Sequence, residues 1–154
     1  MLNSNIARTS TSAQLNWLRQ DLAANPKLCT LAYWHHPRFS SRKHGNDTSV
    51  GEFWNALYNA GVDLVLNGHE HIYERFAPQR PNGTADNARG IRQITVGTGG
   101  ASHGKIMTAR ANSVVRNNTT YGVLKLTLRA ADYSWQFVPE PGKTFGDSGT
   151  GNCH

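Results

Sequence analysis

The sequence predicts an α/β fold that closes with an antiparallel hairpin. Three observations carry this expectation. In the first half, two stretches of helical period alternate with two short apolar runs. Each apolar run is followed at once by histidines. Residues 121–137 instead alternate with period two around a tight turn.

Taken in order, residues 1–12 are polar and predict a loose leading segment, with residues 13–154 as the folded unit. Ser12 is positioned to cap a helix over Ala13–Ala24, where Leu15, Leu18 and Leu22 recur at helical spacing beside Trp17. Asn25-Pro26 ends it. Lys27–Trp34 reads as a buried strand, and His35–Ser49 as a polar loop. A second helix is expected over Gly51–Asn59, with Phe53, Trp54 and Leu57 facing inward and Gly61 closing it. Val62–Leu66 is a second short buried strand. This alternation predicts a parallel sheet. Ligands of such sheets bind outside the carboxyl ends of the strands, so His35-His36 and His69/His71 are expected on one rim. Further on, Ala77–Gly90 is turn-rich, Ile91–Gly97 is a strand and Thr98–Gly104 a glycine-rich loop. Leu124, Leu126 and Leu128 share one face of the hairpin's first strand. Tyr133, Trp135 and Phe137 share one face of its second. The tail, residues 142–154, is rich in Gly and Ser.

The chain has 154 residues and a mass of 17.0 kDa, enough for one domain with a real core. No stretch approaches the roughly 18 apolar residues of a membrane span. The first residues lack the apolar core of a signal peptide. Two cysteines are too few for a disulfide scaffold. The formal charge of +6 suits an anionic partner and equally suits a plain soluble surface. Basic residues are scattered, with Arg38, Arg42, Lys43 and His44 the one local group. No strand interleaves aromatic and basic residues, which speaks against a nucleic-acid partner.

Gly68-His69-Glu70-His71 is the sharpest motif. In an extended segment, His69 and His71 would project to one side and could serve one metal or two adjacent metals. By itself the pattern also fits two histidines on a polar loop. His35-His36-Pro37 places a histidine at a strand end before a rigid residue.

The combination of strand, His-x-Pro, helix, strand and Gly-His-x-His resembles the carboxyl-terminal half of the calcineurin-like metallophosphoesterases, most closely their purple-acid-phosphatase-like branch. The runs LAYWHHPRFSS (Leu31–Ser41), NGHEHIYER (Asn67–Arg75) and ITVGTGG (Ile94–Gly100) carry the likeness, which extends from about Gln14 to the end. It implies part of a four-layer αββα sandwich with a mixed sheet and a dinuclear metal centre of Fe, Zn or Mn acting on a phosphoester. His35 and His69 match ligands of one metal, and His71 a ligand of the other. The family's acidic, Asn and Tyr ligands sit in upstream D-x-H, GDxxY and GNHE motifs that this sequence lacks. The expectation is therefore a segment of a metal-dependent phosphatase or phosphodiesterase that supplies histidine ligands. On its own it would hold at most one metal, with an upstream fragment as a candidate partner. The rival is a non-catalytic remnant.

His44 matches a substrate-facing histidine that can protonate a leaving alkoxide, and equally fits an ordinary surface histidine. His36 and Arg38 are candidates to face substrate, Arg38 through its planar fork. Asn67, Glu74 and Arg75 are expected to buttress the histidine loop, the last two as an ion pair. The ending DSGTGNCH (Asp147–His154) resembles that of secreted or periplasmic bacterial members. A Cys29–Cys153 bridge stands beside the alternative of two free thiols.

Overall fold

The computed structural model describes all 154 residues. Its elements in chain order are α1 (Ala13–Ala24), β1 (Leu31–Tyr33), a 3₁₀ turn (Thr48–Val50), α2 (Gly51–Asn59), β2 (Leu64–Asn67), β3 (Tyr73–Phe76), β4 (Arg92–Val96), β5 (Ser113–Asn117), β6 (Gly122–Leu128), β7 (Asp132–Pro139) and β8 (Ser148–Asn152). Both helices occupy the spans that their periodicity predicts. Ser12 caps α1, its side chain accepting from the Leu15 amide. Leu15 and Leu18 are buried, whereas Trp17 is half exposed on the outer face.

Strands β1–β5 form one sheet in the order β1-β2-β4-β3-β5. β1, β2 and β4 run parallel, as the α/β alternation predicts. β3 and β5 add antiparallel pairings, so the sheet is mixed. Strands β6, β7 and β8 form a separate antiparallel sheet. Period-two alternation divides each central strand between two cores. Val65 faces α1 and α2 in a cluster with Leu15, Phe53, Trp54 and Leu57. Leu64 faces the second sheet and packs with Tyr73, Ile94, Tyr133, Trp135 and Phe137. The molecule thus has three layers, helices on sheet on sheet, and lacks the outer helical layer of a complete αββα sandwich. Val123 and Val138, on the outer side of the second sheet, are exposed.

One expectation changes. The leading segment is not loose throughout: Leu2 is buried and its amide donates to the Tyr33 carbonyl, while Ser4 is buried beneath His36. The edge of β1 offers the backbone partner that anchors it. The Gly- and Ser-rich tail is the strand β8. Its composition suits the contact, because Gly149 lies on the Trp135 ring and a Cβ there would stand 2.5 Å from it. Cys29 and Cys153 are joined by a disulfide, which fixes the tail to the entrance of β1. Buried Asp63 reinforces the join, accepting from the amides of Thr30 and His154. No helix is long and apolar enough to cross a membrane.

Candidate metal centre

The carboxyl ends of β1, β2 and β4 lie on one rim, and β3 starts there, since Tyr73 pairs with Val96. The segments 35–44, 68–71 and 97–104 all leave from this rim. Asn67 ties two strand ends together by donating from Nδ2 to the Trp34 carbonyl at 3.0 Å. The Gly68 amide donates to the His35 carbonyl at 3.1 Å, which locks the two histidine segments side by side.

The Gly68–His71 segment is turned rather than extended. The Glu70 amide reaches the Gly68 carbonyl and the Ile72 amide the Glu70 carbonyl, each at 2.6 Å. These are successive three-residue turns. His69 at the centre of the first has φ +50°, a left-handed conformation that a non-glycine residue adopts at a cost. Gly97 makes room for the turn, because a Cβ there would meet the Glu70 carbonyl oxygen at 2.1 Å. The turning separates the two imidazoles. His69 Nδ1 lies 3.1 Å from His35 Nε2, whereas His71 Nδ1 donates to the Ser102 carbonyl at 2.9 Å. His71 therefore keeps Nε2 unprotonated when neutral, but it is not among the histidines within ligand distance of one another.

His36 takes that place. One ligand atom from each of His35, His36 and His69 lies within 4.8 Å of the others. The His36 and His69 rings are 4.3 Å apart between centroids. Burial, and then the neighbouring His35, holds His36 below the ordinary imidazole range. Burial followed by His36 and His35 does the same for His69. Both are neutral at pH 7, the form that ligates metal. Neutral, clustered imidazoles suit zinc or iron better than manganese, which prefers oxygen donors.

Glu70, between the two histidines of the motif, is 1% exposed. It accepts from His44 Nδ1 at 2.9 Å, and Arg42 lies 3.0 Å from its other oxygen. His44 itself is largely exposed, its ring 5.6 Å from that of His69. Sequence reasoning missed Glu70 and Arg42 because their partners are 26 and 28 positions away in the chain. The one available signal was a carboxylate between two histidines.

Arg38 does not reach the histidines. Gln93 grips Phe39 by both backbone groups, and the Phe39 ring enters the core against Trp54. Arg38 is thereby turned toward α2, where it lines a separate cavity with Glu52, Asn55 and Arg80. The expected Glu74–Arg75 ion pair is also absent, since adjacent residues on a strand face opposite ways. Fully buried Glu74 accepts from the Ser41 amide and from the hydroxyls of Ser41 and Ser113. Arg75 pairs with Asp147 of the tail at 2.6 Å.

The chain thus combines a three-layer α/β architecture with histidines gathered at the carboxyl ends of parallel strands. Comparison with known proteins makes the class specific. The family model for calcineurin-like phosphoesterases matches residues 2–73. An acid phosphatase of Aspergillus ficuum is 31% identical over 96% of this chain and 28% of its own length. Purple acid phosphatase 18 of Arabidopsis thaliana is 34% identical over 68% of this chain and 25% of its own. In fold, a purple acid phosphatase from yellow lupin seeds superposes with a TM-score of 0.80 at 20% identity, over 96% of this chain and 29% of the lupin chain. GAP50, the anchor in the inner membrane complex of Plasmodium, reaches 0.70 at 19% identity, over 92% of this chain and 42% of its own. The chain spans about a quarter of the length of these two curated relatives. Its similarity is to the calcineurin-like phosphoesterases, and within them to the purple-acid-phosphatase-like branch.

Proposed function

We propose that this chain carries the histidine side of a metal-dependent phosphoester hydrolase site. His35 and His69 are nitrogen ligands of one metal, and His71 offers Nε2 to a second. The observation that carries the reading is the paired placement on one rim: His35 and His69 within 3.1 Å, and His44 beside them on Glu70. Bound metal ions supply polarisation of phosphoryl oxygens and a nucleophile at neutral pH. The residues do the rest. Glu70 takes the His44 Nδ1 proton in a hydrogen bond, which fixes the tautomer and turns Nε2 outward. As imidazolium, His44 hands its Nε2 proton to the departing alkoxide. Arg42 offsets the Glu70 charge, so the carboxylate orients His44 without acting as a ligand.

A two-metal centre also needs anionic ligands, and Glu70, the carboxylate in ligand range of these histidines, is engaged by Arg42 and His44. The acidic ligands are therefore proposed to come from outside this residue set. The disulfide supports action in an oxidising, extracytoplasmic compartment.

The test is hydrolysis of 4-nitrophenyl phosphate and its diester with Zn, Mn or Fe. It is run on this chain alone and on this chain co-expressed with a fragment of a full-length relative that carries the acidic motifs. Activity is expected near background for the chain alone, and metal-dependent in the pair. It should be lost in His35→Ala/His69→Ala and reduced about 10²–10⁴-fold in His44→Ala. A pair whose activity survives the double substitution would remove the histidines from the site.

A further inference from the structure

We propose that His35, His36 and His69 form a mononuclear three-imidazole site for a zinc-like divalent cation, with His36, braced by Ser4, as the third ligand. Around tetrahedral zinc, bonds of about 2.0–2.1 Å hold ligand nitrogens about 3.3 Å apart. His35 Nε2 and His69 Nδ1 already stand at 3.1 Å. The widest separation in the trio is within 4.8 Å, so a modest ring rotation completes the site.

His36 is built for this role. Ser4 is 1% exposed, accepts the His36 amide at 3.3 Å and shares a 2.7 Å hydrogen bond with Nδ1. One hydroxyl oxygen can accept both the amide proton and an Nδ1 proton, and in that tautomer Nε2 is the free ligand atom. The Trp34 indole donates to the His36 carbonyl at 2.6 Å, and Pro37 follows, so the backbone is held on both sides. Ser4 belongs to the leading segment that Leu2 anchors on β1, which gives that segment a purpose beyond packing. Three neutral nitrogens leave a fourth position open to solvent, the arrangement of a catalytic rather than a structural zinc. The rival centre on the same rim, His44–His69–Glu70, is weaker, because Arg42 and His44 already occupy the carboxylate.

The site shares His35 and His69 with the proposed hydrolase centre and rests on that reading for them, whereas the role of His36 does not, so its test reads metal binding and not turnover. The metal-free full chain is titrated with Co²⁺, followed by visible absorption, and with Zn²⁺, followed by calorimetry. One ion per chain is expected, with the strong d–d bands of four-coordinate cobalt. His36→Ala should weaken binding more than about 100-fold and Ser4→Ala about ten-fold, while His71→Ala and His44→Ala change it less than about two-fold. X-ray absorption of the zinc-loaded native chain counts the imidazoles without any substitution, and three are expected. Absence of binding, two imidazoles in that count, or a loss in His71→Ala or His44→Ala equal to that in His36→Ala overturns the proposal.

Discussion

Asp147 is the residue on which β3, β7 and the tail meet. Its carboxylate accepts from the Tyr73 hydroxyl, from Arg75 through Nε and Nη2, and from the Trp135 indole. Burial pushes the Asp147 carboxyl up, but the bonds from Arg75 and Tyr73 outweigh it and hold it below the ordinary carboxylate range. Burial, with Asp147 as acceptor, raises the Tyr73 hydroxyl. A depressed carboxyl stabilises the fold above its unfolded value, near pH 4, and loses that contribution as pH falls through the folded value. Asp147→Asn is therefore expected to cost about 3 kcal/mol at neutral pH, because it strands Arg75 in a mostly buried site. The gap to the native chain should narrow as pH falls below about 4 and through the lowered folded value, since both chains then lack the charge. Urea unfolding at pH 7 and pH 3 checks both statements. At the same scale, Glu70→Gln should free His44. Imidazole ¹⁵N shifts are expected to report the Nδ1–H tautomer in the native chain and a mixture of tautomers in the variant. Identical shifts in the two proteins would deny Glu70 that role.

Among the elements, β8 depends most on the rest of the molecule. A Ser-Gly-Thr-Gly-Asn run has little strand propensity, yet it pairs along β7 from Gln136 to Asp132. Its support is the ring face of Trp135 beneath Gly149 and the disulfide at its end. Gly149→Val should push the strand off that ring and cost about 1–3 kcal/mol by thermal or urea unfolding. The Cys29–Cys153 bridge spans 124 positions. By the chain-entropy argument, its loss in Cys29→Ser/Cys153→Ser costs about 4–5 kcal/mol. Hydrogen exchange should then show β8 amides losing protection before those of β2 and β4. Equal protection with and without the bridge would mean that packing alone holds the strand.

At the scale of the whole molecule, an apolar groove of about 680 Å³ runs beside β1 and past His35 to β6. Leu2, Tyr33, Leu66, Val96 and Val123 line it; Tyr33 is about half exposed and Val123 more so. The isolated chain is expected to bind a dye such as ANS there, and Val123→Lys to reduce that binding several-fold without lowering stability. Fluorescence titration beside a melting curve measures the two effects. A native chain that leaves the dye dark would mean that the groove is not an open apolar face.

Much of this protein could be read before its fold was seen. Both helices follow from apolar spacing and a serine cap, and β1, β2 and β4 from short apolar runs. The β6–β7 hairpin follows from period-two alternation around Ala131-Asp132. The family follows from His-x-Pro and Gly-His-x-His in the right order. These are local signals, in which each residue's neighbours along the chain suffice. What tertiary structure alone decided is everything set by partners far apart in sequence. β3 and β5 became strands by pairing with each other and, for β3, with β4. Arg75 chose Asp147, 72 positions away, over its neighbour Glu74. A left-handed turn at His69 sent that ring to His35 and left His71 on Ser102. His36 joined the cluster because Ser4, 32 positions earlier, holds its other nitrogen. Hydrophobic periodicity fixes which side of an element is buried. The direction of a polar side chain depends on which donor or acceptor the folded chain brings within about 3 Å, and no local pattern encodes that.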